Sequence, residues 1–204
     1  MIQQSSRRVL LLSLVILAAL LFSVSPRATT PAECASATVA DADAVLIRLL
    51  QRMQERLGWM PEVARAKWNS GAAISDPARE QQLLDGLIPE GKRRGLQANA
   101  TTTFFAAQMD GAKRLQEDCF ARWHAENRGP FPRVADLKRE IRPAIDRLNQ
   151  ELLDRLAAWH HHPAAKKIRP RDLERMSQQI LIGPGITKAI RQQILQPLHG
   201  GQGK

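Results

Sequence analysis

Apolar residues recur along most of this chain at spacings of three and four. Val45, Leu49, Met53, Arg56, Met60, Val63 and Lys67 form one such series. It is a single stripe of an amphipathic helix, although two of its members are cations. Pro61 is expected to break or kink that helix, since proline has no N–H to give. "NSGAA" then supplies a turn, and Asp76 followed by Pro77 gives an N-cap and a first-position proline for a second helix to about residue 88. A Gly- and Lys-containing connection, 89–95, leads to a third helix over roughly 98–126. Its stripe is Phe105, Met109, Ala112, Gln116, Cys119 and Trp123, again with one polar member. After the loop "NRGPFPRV", a fourth helix is marked by Leu137, Ile141, Ile145, Leu148, Leu152 and Leu156, entered or bent at Arg142 and Pro143. Two shorter helices, about 170–182 and 184–196, flank "GPG". Strand alternation and internal repeats are absent. The pattern predicts an all-α, single-domain bundle of about six helices, with its main body over 39–160 and a helical extension, 161–204, packed on the same domain.

Composition supports that class. Of 204 residues 44% are apolar, enough for one sizeable core. Tyr is absent, and Ala, Leu, Arg and Gln favour helix over sheet.

The N-terminus follows a different logic. Arg7 and Arg8 precede an apolar stretch from Val9 to Phe22, and small residues follow. This is the layout of a secretory signal peptide, assigned to residues 1–28 with its cleavage site open. A signal anchor is the rival reading, but a span needs about 20 apolar residues and this stretch is shorter. Cleavage is therefore expected, leaving a flexible segment at 29–38 and a periplasmic or secreted chain without stable membrane association.

Export changes how charge and cysteines read. The net charge of +10 becomes +7 once Arg7, Arg8 and Arg27 leave. The remaining bases are spread among acids along helices, with no dense basic block, so no nucleic-acid partner is expected. Cys34 and Cys119 could pair outside the cytoplasm. If processing removes Cys34, Cys119 is simply a small buried hydrophobe.

The usual catalytic signatures are missing: the chain has no G-x-S-x-G, P-loop, H-E-x-x-H or C-x-x-C. His160, His161 and His162 lie at a helix end with no acidic or Cys partner nearby, which reads as a solvated last turn suiting the helix dipole rather than a metal site. What remains is the set of polar residues inside apolar stripes, Arg56, Lys67 and Gln116. Arg79 and Glu80 just inside their helix, and Arg142 at a helix entry, join them. One cation on a stripe usually snorkels to water. Several from different helices would cost several kcal/mol each to bury unless an anion compensates them. The chain offers few acids on the same faces, so an external dianion is the natural partner.

These residues resemble the secreted, or gamma, subclass of AroQ-type chorismate mutases. The resemblance runs through Arg56, Lys67 eleven residues later, "DPAREQQLL" with Asp76, Arg79 and Glu80, then Gln116, and ends with "RPAIDRLN" from Arg142. It covers roughly residues 40–160; the tail after 163 matches only in being helical. It implies a cofactor-free and metal-free isomerase that rearranges chorismate to prephenate. Lys67 and Gln116 would donate to the ether oxygen, Arg56, Arg79 and Arg142 would grip the two carboxylates, and Asp76 and Glu80 would orient the ring hydroxyl or the Lys67 ammonium. It also implies a homodimer, for which the sequence shows no diagnostic patch. Two positions depart from the family. Ala112 stands where a small hydroxyl residue is often found, and Gln116 where some secreted members carry Glu. The alternative is a non-catalytic exported helical module that binds an acidic small ligand or a protein partner. A third reading is a secreted factor derived from an enzyme and acting on another organism's metabolism.

Overall fold

A computed structural model describes residues 31–163 and 165–199, the side chains of 31–40 and 166 excepted. The expected leader, 1–28, lies outside the described residues, as does the side chain of Cys34. The described chain is all helical: α1 (Pro31–Gly58), α2 (Met60–Ser70), α3 (Pro77–Arg93), α4 (Ala98–Ala125), α5 (Arg142–His161), α6 (Pro170–Ile180) and α7 (Lys188–His199). A single π-type turn (Leu137–Ile141) leads into α5, and a 3₁₀ turn (Ala165–Lys167) follows it. The six expected helices are all present, the first divided into α1 and α2.

That division is a one-residue break. Pro61 cannot donate to the preceding turn, and the backbone tightens there, with Trp59 N–H on the Arg56 carbonyl at 3.3 Å and Val63 N–H on the Trp59 carbonyl at 3.0 Å. The axis therefore continues, and eleven residues, close to three turns, still separate Arg56 from Lys67 on one face. At the far end Gly71 takes φ +67°, a left-handed value that stops the helix cheaply only in glycine.

Three boundaries differ from the pattern. α1 starts at Pro31 rather than near 39, because proline suits a first turn and Ala32, Ala35, Ala37 and Ala40 are strong helix formers. α3 does not stop at 88 but continues to Arg93 through Pro89. Gly91, on its last turns, lies so close to the buried Thr101 of α4 that a Cβ there would clash. α7 spans Lys188–His199, later than expected, since Pro184 and Gly185 form its approach.

The main core cluster is built on Leu46, Leu49, Leu50 and Met53 of α1, Phe104 and Phe105 of α4, and Leu152 and Leu153 of α5, all fully buried. Each such side chain contributes roughly 1.5–3 kcal/mol on leaving water. α1 lies along α5, while α4 is held by α2 and α3 on one side and by α7 on the other. The C-terminal helices are thus the second cover of α4. Gln108 donates to the Ile194 carbonyl at 3.4 Å, and Ile190, Ile194, Leu195 and Leu198 are all buried. A smaller cluster joins Ala64, Trp68, Cys119, Phe120, Trp123 and Phe131 at the other end of α2 and α4. There Asn69 exchanges two 2.8 Å hydrogen bonds with the Phe131 backbone, which pins the loop leading to α5.

Gly111 measures the α4–α7 contact. A Cβ at this position would sit 2.5 Å from Ile194 Cγ2. Gly111→Ala adds helix propensity worth up to ~1 kcal/mol, while overpacking costs ~1–3 kcal/mol. Its urea midpoint is expected to fall, and to recover with Ile194→Val; a rise in the single variant would mean that α7 does not seal α4.

Candidate active site

Arg56, Lys67, Asp76, Arg79, Glu80, Gln116 and Arg142, drawn from separate segments, all line one cavity with about 130 Å³ of water-accessible space. Its apolar walls come from Met60, Val63, Ile74, Leu83, Met109, Ala112, Leu137 and Ile145. Two of the cations and the stripe amide are deeply placed: Arg56 is 4% exposed, Lys67 8% and Gln116 4%.

Local sequence explains the placement. Arg56 and Lys67 are held on one face by the continuous α1–α2 axis. The Gly71 turn brings the Ile74 carbonyl back to Lys67 Nζ at 2.6 Å. Asp76 caps α3, accepting from the Arg79 N–H at 3.2 Å, so the cap that starts the helix also fixes Arg79 and Glu80 in its first turn. Asp136 caps the entry to α5, accepting from Lys138 and Arg139 N–H at 2.8 and 2.7 Å. The wider π-type turn that follows delivers Arg142 at the α5 N-terminus. A cation there opposes the helix dipole, and Asp76 offsets it at 3.4 Å.

The expectation that few acids share these faces needs correction. Three carboxylates do, and each holds a half-buried cation. Asp146 accepts both oxygens' worth of bonds from Arg79 Nη2, at 3.1 and 3.0 Å. Asp76 faces Arg142, and Glu80 accepts from Lys113 Nζ at 3.0 Å. Lys113 also reaches Asp110 at 3.0 Å. Burial alone would lower its ammonium, but these two carboxylates outweigh that and hold its pKa above the usual lysine value.

Arg56 and Lys67 differ from those three cations. Arg56 Nε donates to Asn149 Oδ1 at 2.9 Å and Nη1 to the Gln108 carbonyl at 3.2 Å. Lys67 donates to a carbonyl. All of these acceptors are neutral. Desolvation pushes Arg56 down to about 10, with Asp146 opposing the shift. Lys67 is likewise lowered, first by burial and then by Arg142, while Asp76 and Glu80 pull the other way. Asp76 and Glu80 thus act on Lys67 through space rather than by a hydrogen bond. Gln116 Nε2 donates to the Ala112 carbonyl at 3.1 Å, and its buried Oε1 has no partner.

Sequence reasoning missed Lys113, Asp146 and Asn149, which also line the cavity. Lys113 falls one residue after the stripe position Ala112 and reads as a solvated face. Arg142, Asp146 and Asn149 share a face at spacings of four and three, a signal available in "RPAIDRLN" once Arg142 is placed. The histidine run is not without an acid, contrary to what its local sequence suggests: His162 Nε2 lies 3.2 Å from Asp41 Oδ2 of α1, while His161 Nε2 lies 3.1 Å from the Arg94 carbonyl, and neither lines the cavity.

A family model described as chorismate mutase type II matches residues 37–117, a span that takes in Arg56 through Gln116. The chain is 29% identical over 192 residues to a secreted chorismate mutase of Mycolicibacterium smegmatis, covering 93% of this chain and 98% of that one. The crystal structure of a chorismate mutase from Burkholderia thailandensis superposes with a TM-score of 0.65 at 29% identity, over 76% of this chain and 98% of its own. The secreted chorismate mutase of Yersinia pestis shares the fold, with a TM-score of 0.63 at 21% identity over 74% and 94% of the two chains.

Two buried cations facing neutral acceptors call for two negative charges. A small dicarboxylate is therefore expected to raise the unfolding temperature more than a monocarboxylate of similar size at equal ionic strength. At a hundred times Kd the gain is about 2.7 kcal/mol. Lys67→Met should lose most of that shift while melting no lower than the parent without ligand. Equal shifts from both acids would rule out the dianion site.

Proposed function

We propose that the chain is a chorismate mutase of the type II family, whose model matches residues 37–117, and that this cavity is where chorismate rearranges to prephenate. The protein is an exported isomerase, as its secreted relatives are, and no described helix is long and apolar enough to cross a membrane. The observation that carries the assignment of the site is the pair Arg56 and Lys67, buried in one cavity with no carboxylate among the described residues bonded to either. Chorismate is a dicarboxylate, and its charge is the missing complement.

The reaction is a unimolecular pericyclic rearrangement in which a C–O bond breaks as a C–C bond forms. It calls for no nucleophile. The enzyme must hold a flexible substrate in a compact diaxial shape and stabilise negative charge on the ether oxygen. Arg56, Arg79 and Arg142 would take the carboxylates, because a planar guanidinium can bond two oxygens at once. Arg79 and Arg142 can do so without abandoning Asp146 and Asp76, since each guanidinium has five N–H donors. Lys67 and Gln116 would donate to the ether oxygen; one Gln116 amide hydrogen serves the Ala112 carbonyl, and the other meets the Met60 sulfur at 3.6 Å, a weak acceptor that the ether oxygen would replace. Glu80, steadied by Lys113, and Asp76 at the cavity mouth would receive the ring hydroxyl. All these groups come from one chain, so the homodimer that the resemblance implies would be an assembly of complete sites.

Purified chain lacking the leader is expected to consume chorismate, followed by loss of its absorbance; no loss would leave a binding module. Lys67→Ala should keep its fold and lose ~10²–10³ in kcat, the usual effect of removing one preorganised donor. Retained turnover in that variant would remove Lys67 from the mechanism.

The pH dependence has a definite sign. Gln116 donates without being protonated, so activity should stay nearly flat from mildly acidic pH to pH 7. Lys67 must remain charged, and its lowered pKa places the loss of activity at rising pH, below the 10.5 of an ordinary lysine. A bound dianion would raise that pKa again, so the alkaline limb of kcat/KM should lie at lower pH than that of kcat. A steep fall toward pH 7 would exclude Gln116 as the neutral donor.

A further inference from the structure

The geometry points to Asn149 as a specificity-determining residue: it orients Arg56 with an uncharged acceptor, and so leaves the guanidinium's charge for a substrate carboxylate. This deepens the reading above and rests on it for the identity of the ligand.

Asn149 is 1% exposed and lies two turns beyond Arg142 on the cavity face of α5. That face presents three different devices in sequence. Arg142 is a cation, Asp146 is the acid that holds Arg79, and Asn149 is the amide that holds Arg56. The 2.9 Å bond from Arg56 Nε fixes which way the amide faces, because the reverse orientation would set two donors against each other. Nδ2 is then left buried and without a hydrogen-bond partner among the described residues. Unpartnered donors are uncommon inside proteins, and this one belongs to a residue lining the cavity beside an uncompensated cation. A carboxylate oxygen held by Arg56 would complete its bonding.

The choice of amide over acid decides the charge of the site. Aspartate has nearly the same shape and would accept the same bond, but it would neutralise Arg56 as Asp146, Asp76 and Glu80 neutralise their cations. Only Lys67 would then face a neutral acceptor, and a dianion would meet one free charge in place of two.

Three proteins test this: the parent, Asn149→Asp and Asn149→Leu. With chorismate, Asn149→Asp is expected to raise KM about 10- to 100-fold with a smaller change in kcat, because the lost interaction is made in the ground state as well as the transition state. Asn149→Leu, which removes the acceptor but leaves Arg56 charged, should raise KM less. A purely structural role predicts the opposite order, with the isosteric aspartate close to the parent; that order would overturn the proposal. If the leucine variant does not fold, Asn149→Ser takes its place in the ranking.

A second arm needs no turnover. Without ligand, Asn149→Asp should unfold at or above the parent's temperature. Adding malate should raise the parent's unfolding temperature and leave that of Asn149→Asp nearly unmoved. Equal malate shifts in both would overturn the role of Asn149. Failure of the parent to consume chorismate while this arm holds would refute the reaction and leave the anion site standing.

Discussion

The structure turns on keeping positive charge unpaired inside an apolar bundle. Arg56 and Lys67 sit among methionine, valine and leucine side chains with only neutral acceptors, and burial lowers the pKa of each. The layout runs against what stability alone would select. Removing the partner of a buried charge is among the most destabilising changes a protein can suffer, while half-exposed pairs are worth little. Here the three cations with carboxylates are half-buried, and the two without are the deep ones. A site that binds and distorts an anion needs that arrangement, because an uncompensated charge in a poorly polarisable surrounding acts far more strongly than the same charge in water.

Holding such charges fixed requires rigid supports, and the helices supply them at minimal length. The Trp59 break lets Pro61 into the first helix without losing the register between Arg56 and Lys67. α4 carries Met109, Ala112, Lys113 and Gln116 on its cavity side and Gln108 and Gly111 toward α7. It is packed on both sides, by α2 and α3 and by α7. Asp76 serves twice, as the cap of α3 and as the counter-charge of Arg142, so one carboxylate both starts that helix and holds a cation of the cavity lining.

The parts of this arrangement that were legible from sequence are those set by period. A cation or amide at a stripe position must face the core, and Arg56, Lys67 and Gln116 announce themselves that way. Asp76 and Arg79 were legible through capping chemistry. Lys113 was not, because it adjoins the stripe rather than occupying it, and only the close approach of α3 turns it toward Glu80. Asp146 and Asn149 depend on which face of α5 meets α1 and α3, a tertiary fact that no local spacing fixes. The tail was legible only as helix; that α7 seals the back of α4 rests on Gly111 meeting Ile194, 83 positions further along the chain and beyond the reach of any periodic signal.

The cavity's inventory also fits a life outside the cytoplasm. No histidine lines it, and its two buried amides, Gln116 and Asn149, neither gain nor lose a proton in the range where exported proteins work. A carboxyl in place of Gln116 would have to be protonated to donate, tying the rate to ambient acidity. An acid in place of Asn149 would cancel one of the two charges the ligand must find. The two amides thus solve complementary problems with the same side-chain chemistry. On the proposed reading one donates without titrating, the other accepts without neutralising, and between them they would leave the charge that faces the substrate to Arg56 and Lys67.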